Sequence, residues 1–202
     1  MIESRNGKLT IPYRQKNMNT MATITHPWHG VSYGAGAPEI VNAIIEIPEG
    51  SRAKYEIDKE TGLLKLDRVI YSSFHYPVNY GFIPKTLGQD HDPLDILVLC
   101  SQTIRSFCLV RAKVIGNMQM IDSGERDDKI IAVAIDDPSV NHYENIDELP
   151  HHFLLEMRNF FEQYKVLESK KVEIDTFQDK ETALSIISEA IDYYKKKFKE
   201  MP

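Results

Sequence analysis

Apolar residues recur along most of the chain in the short runs and two-residue alternation of β-strands. Residues 41–48 are β-branched and apolar, with Glu46 interrupting the run. Residues 52–58 and 63–71 predict two more strands, joined as a hairpin by the turn Lys59-Glu60-Thr61-Gly62. On the first of these, Lys54 and Glu56 are two apart and so face the same side. Residues 74–84 are aromatic and broken by Pro and Gly, which predicts an ordered loop or edge segment. Residues 94–99, 108–120 and 129–135 continue the strand pattern. Helical spacing begins late. Asp147 is expected to cap a helix with Pro150 in its first turn, and Phe153, Leu154, Met157, Phe160, Phe161 and Tyr164 follow at helical intervals. Residues 182–198 predict a second amphipathic helix. Many short strands with turn punctuation suggest a small closed or nearly closed β-barrel.

Charged residues stand inside these strands and at their mouths. Asp90-His91-Asp92-Pro93-Leu94-Asp95 places three carboxylates within six positions, just before an apolar run. Ionised acids this close repel one another unless positive charge sits between them, and a hard divalent cation is the simplest occupant. A solvated acidic turn is the alternative, and this stretch alone leaves both open. A second acidic turn, with Asp122 and Asp127, also lies between apolar strands. Asp136-Asp137-Pro138 is read as a solvated loop. Glu46, Glu56, Lys54, Arg68, Lys129, Lys165, Tyr76, Tyr80 and Tyr164 complete the polar set. Taken singly, each fits a surface ion pair or an edge charge against aggregation. Recurrence in successive segments fits instead a site where metal ions neutralise a phosphoryl group while lysine and arginine bind its remaining oxygens.

Length and charge narrow the field. The 202 residues suit one domain with extensions, and 42% apolar and 27% charged residues are ordinary for a globular chain. Residues 1–25 form a polar segment, expected to be a flexible extension, with a basic targeting leader as the alternative; residues 26–202 are expected to form a single domain. His26-Pro27-Trp28-His29 is read as an anchoring turn rather than a metal site. A net charge of −6 argues against nucleic-acid and membrane-surface binding. Cys100 and Cys108 match no zinc or redox spacing, which points to a reducing, cytoplasmic setting. An EF-hand fails for want of Gly at Asp95 and Glu at Ser101, and Gly30-Val31-Ser32-Tyr33-Gly34 lacks the strand and helix of a nucleophile elbow.

Asp90-His91-Asp92-Pro93-Leu94-Asp95-Ile96 resembles the signature of the family I soluble inorganic pyrophosphatases. Segments 45–48, 54–58, 67–68, 76–84, 120–122, 127–129 and 160–165 resemble further blocks of that family, in its order, and the segment 26–29 is most similar to its plant-type branch. The resemblance implies an α+β fold: an OB-like barrel with the C-terminal helices packed outside. It implies hydrolysis of inorganic diphosphate to two phosphates with several Mg²⁺ ions, in a homo-oligomer. By position, Asp90, Asp95, Asp122 and Asp127 match metal ligands, with Glu46 and Glu56 holding or supporting further metal and water. Asp92 matches the general base. Lys54, Arg68, Lys129, Tyr164 and Lys165 match phosphate-binding residues, and Tyr76 and Tyr80 match active-site tyrosines. His91 departs from the family, which usually has a small or polar residue there; turned inward it would add a proton donor or disturb the metal spacing, turned outward it would be harmless. Two other classes compete on the sequence: an oligonucleotide-binding barrel, which would want a basic aromatic groove, and a nucleotide phosphohydrolase, which would want a base pocket.

Overall fold

The structure is a computed structural model, and it describes residues 26–122 and 124–198. The first 25 residues, expected to be a polar extension, lie outside the described ones.

Five strands close a ring. β1 (Ile40–Ile47) pairs with β4 (Asn79–Phe82), β4 with β5 (Asp95–Leu99), β5 with β8 (Lys129–Ala134), β8 with β6 (Leu109–Asp122), and β6 returns to β1. Closure removes the sheet edges that would otherwise invite pairing with another chain. The β5–β8 pair is parallel and the other four are antiparallel. β6 is long enough at 14 residues to leave the ring, where it pairs with the two-residue β7 (Glu125–Arg126) and with β9 (Val172–Gln178). β2 (Ala53–Ile57) and β3 (Leu64–Val69) form the expected hairpin as a separate two-stranded sheet. The OB-like barrel implied by the sequence is the observed fold.

Burial explains the pattern. β8 is buried at every position, so its run is continuous rather than alternating. Its side chains still divide by parity. Ile131 and Val133 join Leu97, Leu99 and the aromatic face of α2 (His151–Gln163), whereas Ile130 and Ala132 join Ile96, Val98 and the apolar face of α3 (Lys180–Lys197). Each helix thus packs on one parity of the barrel wall. Gly81 allows β4 to approach β1, since a Cβ there would lie 1.9 Å from the Ile44 carbonyl oxygen.

Three local expectations change. Residues 79–82 are not an edge but an interior strand between β1 and β5. Asp147 does not cap α2: it lies in a separate 3₁₀ turn, Ile146–Glu148, and α2 starts after Pro150 at its N-cap. β9 was not anticipated. The acidic segment 136–138 is a loop, in which Asp137 accepts hydrogen bonds from the Ser101 and Ser139 backbone N–H groups.

The segment 26–29 anchors the fold as expected. Pro27–Gly30 is one helical turn (α1), capped by the His26 side chain. Trp28 is buried and donates its indole N–H to the Thr86 carbonyl at 2.8 Å, and His29 lies 2.7 Å from the Tyr194 hydroxyl on α3. Among the described residues no helix is long and apolar enough to cross a membrane.

Candidate active site

Strand mouths place the charges. β5 and β8 run parallel with Asp95 directly opposite Lys129, so an acid and a base begin two neighbouring strands. The Lys129 ammonium lies 2.6 Å from Asp95, 3.0 Å from Asp127 and 3.3 Å from the Tyr80 hydroxyl, and its side chain is 3% exposed. Tyr80 donates its hydroxyl hydrogen to Asp95. Asp122 ends β6 and binds Lys165, which follows the C-terminus of α2. In the loop before β5, Asp90 accepts a hydrogen bond from the Asp92 N–H at 3.0 Å.

Glu46 reaches the site through a bulge. The β1–β4 register slips between Ile45 and Ile47, which leaves Glu46 as the extra residue, and bulges re-aim side chains in this way. Its carboxylate is buried and accepts the Ile57 N–H at 2.6 Å. From the hairpin, Lys54 bridges Glu56 at 3.1 Å and Asp67 at 2.9 Å.

These side chains surround a cleft of about 540 Å³. All of the sequence-derived candidates line it except Arg68 and Tyr76. Tyr76 stands one layer back: it is buried, with its ring 5.6 Å from Tyr80 and 4.9 Å from Phe160. Arg68 stands behind the lining, paired with Asp67 and Glu168. His91 is exposed, lies outside the lining and adopts a left-handed backbone with φ 69°. Sequence reasoning missed Lys59, Asp67 and Glu168. Lys59 sits in the hairpin turn and pairs with Asp92. As a turn lysine it carried no signal, and only the folded hairpin brings it to the acidic loop.

The electrostatics follow from burial. Desolvation and the nearby Asp95 push the Glu46 carboxyl up to about 8. Burial, then Asp127, raises Asp90; burial also raises Asp127, with Lys129 opposing and Asp95 adding. Burial works against the charge on Lys129, but Asp127 and Asp95 outweigh it and hold its pKa well above that of free lysine. Tyr80 is raised by burial and then by Asp95, so its hydroxyl stays a donor. The lining carries nine carboxylates and five lysines, an excess of negative charge that calls for cations. Oxygen donors of this kind fit a hard divalent ion. Among the described residues no three acids stand together as a ready metal-ligating group, and Lys129 and Lys165 engage Asp95, Asp127 and Asp122.

The family model for inorganic pyrophosphatase matches residues 43–195, a span that includes every candidate from Glu46 to Lys165. The chain belongs to the inorganic pyrophosphatase family. Pyrophosphatases from plants are similar along most of its length. Soluble inorganic pyrophosphatase 1 of Arabidopsis thaliana is 49% identical over 178 residues, covering 88% of this chain and 84% of the relative. A soluble inorganic pyrophosphatase of Oryza sativa is 51% identical, covering 88% and 83%. Among solved pyrophosphatases, that of Thermus thermophilus matches with a TM-score of 0.82 at 38% identity, covering 84% of this chain and 99% of that one. The plant-type character expected from the segment 26–29 agrees with these relatives.

Proposed function

We propose that the protein hydrolyses inorganic diphosphate to two phosphates, with several Mg²⁺ ions per site and no covalent enzyme intermediate. The observation that carries this reading is the interleaving of acids and lysines around one cleft, with Glu46, Asp90 and Asp127 all pushed up. The oxygens of Asp90, Asp95, Asp122 and Asp127, with Glu46 and Glu56 beside them, would hold the cations. When bound, Mg²⁺ acidifies water and neutralises phosphate charge.

The chain's own groups do the rest. Asp92, half-exposed at the cleft, takes the proton of the attacking water. Lys54, Lys129 and Lys165 bind phosphate oxygens, as does the Tyr164 hydroxyl, which burial keeps protonated. Arg68 adds a planar guanidinium from behind. Tyr80 fixes Asp95 through its hydroxyl, and Tyr76 supports Tyr80 by ring packing. Among the described residues the lining holds no serine, threonine, cysteine or histidine, and its carboxylates are assigned to cations and to the base, so water is the nucleophile in this reading.

The negative lining also favours a small, cation-borne anion over nucleic acid. A cytoplasmic site of action accords with the free thiols of Cys100 and Cys108. Self-association, the remaining part of the proposal, accords with exposed Leu66, Val69 and Tyr71 along and just beyond β3.

Phosphate release from diphosphate, measured with Mg²⁺ and again with EDTA, tests the activity. Release should depend on the metal and exceed that from nucleoside triphosphates by orders of magnitude. Well-folded protein that releases no phosphate from diphosphate, or prefers the nucleotides, would overturn the reading.

A further inference from the structure

The short 3₁₀ turn after α2 (Val166–Glu168) is built the wrong way round for burial. Its apolar residues Val166 and Leu167 are 52% and 64% exposed, while the charged side chain of Glu168 is 8% exposed. A buried carboxylate needs a partner, and Glu168 has Arg68, with Oε1 2.9 Å from Nε. The other side of the guanidinium is taken by Asp67, 2.5 Å from Nη1. Asp67 shares its charge with Lys54 at 2.9 Å. Glu168 has no second cation among the described residues, so it serves Arg68 alone.

What remains is Nη2. It is buried and has no hydrogen-bond partner among the described residues. A guanidinium keeps its charge and has a rigid planar fork, so fixing Nε and Nη1 fixes the plane in which Nη2 donates. A donor left empty in a buried position costs stability, and such orphans recur where a ligand completes the set. Tyr164, four residues before Glu168, lines the cleft. Lys165, whose carbonyl accepts the Glu168 N–H at 2.9 Å, also lines it. One short segment therefore carries two cleft residues and, three positions later, the acid that orients a third.

We propose that Glu168 is a positioning residue for the reaction: it holds the Arg68 guanidinium so that one nitrogen stays free for a phosphate oxygen. The inference rests on the assignment of Arg68 to phosphate binding made above. Without Glu168, Arg68 turns toward the remaining acids and its free donor is lost to them. A contact made to substrate and transition state alike appears in KM rather than kcat.

The test is a double-mutant cycle read as KM and kcat for diphosphate, with thermal unfolding of each variant alongside. E168A should raise KM about tenfold and change kcat less than about threefold. E168Q, which keeps an acceptor for Nε, should recover most of that loss, and it replaces E168A if the latter does not fold. In an R68A background, E168A should add nothing further. Additive losses, or a lowered Tm with KM unchanged, would overturn the positioning role and make Glu168 a structural acid. Normal KM in R68A itself would instead remove Arg68 from phosphate binding, and the inference with it, while leaving the diphosphatase activity intact.

Discussion

Glu46 offers a measurement in which the sign and the size both follow from the fold. Its folded-state pKa is about 8 against 4.5 for the free side chain. A carboxyl raised in this way contributes stability that is present below the unfolded value and lost as pH rises through the folded one. Between these values the folded chain must keep a proton that the unfolded chain gives up. One pKa unit corresponds to 1.36 kcal/mol, so the cost is roughly 2 kcal/mol at pH 6 and nearly 5 kcal/mol at pH 9. These figures are ceilings, since relaxation around a buried charge reduces them. E46Q removes the titration and keeps an oxygen to accept the Ile57 N–H. Urea unfolding in EDTA at pH 6 and pH 9 should therefore show E46Q gaining on the wild type by about 2.5 kcal/mol across the interval. Added Mg²⁺ should narrow that gap, because cations near the carboxylate favour its charged form. Stability curves of wild type and E46Q that stay parallel from pH 6 to pH 9 would refute the argument: the carboxyl would not be perturbed by its burial.

Other outcomes can be checked separately. D92N should keep the wild-type Tm and lower phosphate release by about 10²- to 10⁴-fold, the range for losing a general base; near-normal turnover would remove Asp92 from that role. H91N exchanges one residue that tolerates the left-handed region at φ 69° for another, so Tm should stay within about 2 °C, with turnover unchanged because His91 lies outside the cleft lining. G81A puts a Cβ 1.9 Å from the Ile44 carbonyl oxygen, and denaturant titration should show a loss of about 3 kcal/mol or more, with no soluble protein as the extreme result.

Much of the fold was legible because strand burial leaves a local trace. The continuous apolar runs of β5 and β8 and the hairpin turn before Gly62, whose φ is 71°, are such traces. Ring closure is not local: the β1–β6 and β5–β8 pairings join segments far apart in sequence, and neither partner's composition names the other. β9 escaped for a different reason. Val172, Ile174 and Phe177 are separated by Glu173, Asp175 and Thr176, so half-burial against the outer part of β6 leaves only a weak alternation. At α2 the acid at Asp147 looked like a cap, but Pro150 cannot donate a hydrogen bond and its extended ψ of 127° sets the helix start after it.

The site was legible through charge, since acids and bases inside apolar strands are costly unless they face one another. Geometry added what charge could not: a division between groups that line the cleft and groups that hold them. Lys129 and Lys165 line it and are tied to Asp95, Asp127 and Asp122. Arg68 and Tyr76 stand behind, the first clamped by two carboxylates and the second wedged among Tyr80, Phe160 and Tyr164. An ammonium on a four-carbon stem can exchange a carboxylate for a phosphate oxygen by rotating its own bonds. A guanidinium fixed at two of its nitrogens cannot, so its one free nitrogen has to be aimed in advance. The lysines of this cleft thus suit groups that change partners during turnover, and the arginine suits one that does not. That difference is why a buried acid such as Glu168, silent in the sequence, matters to Arg68.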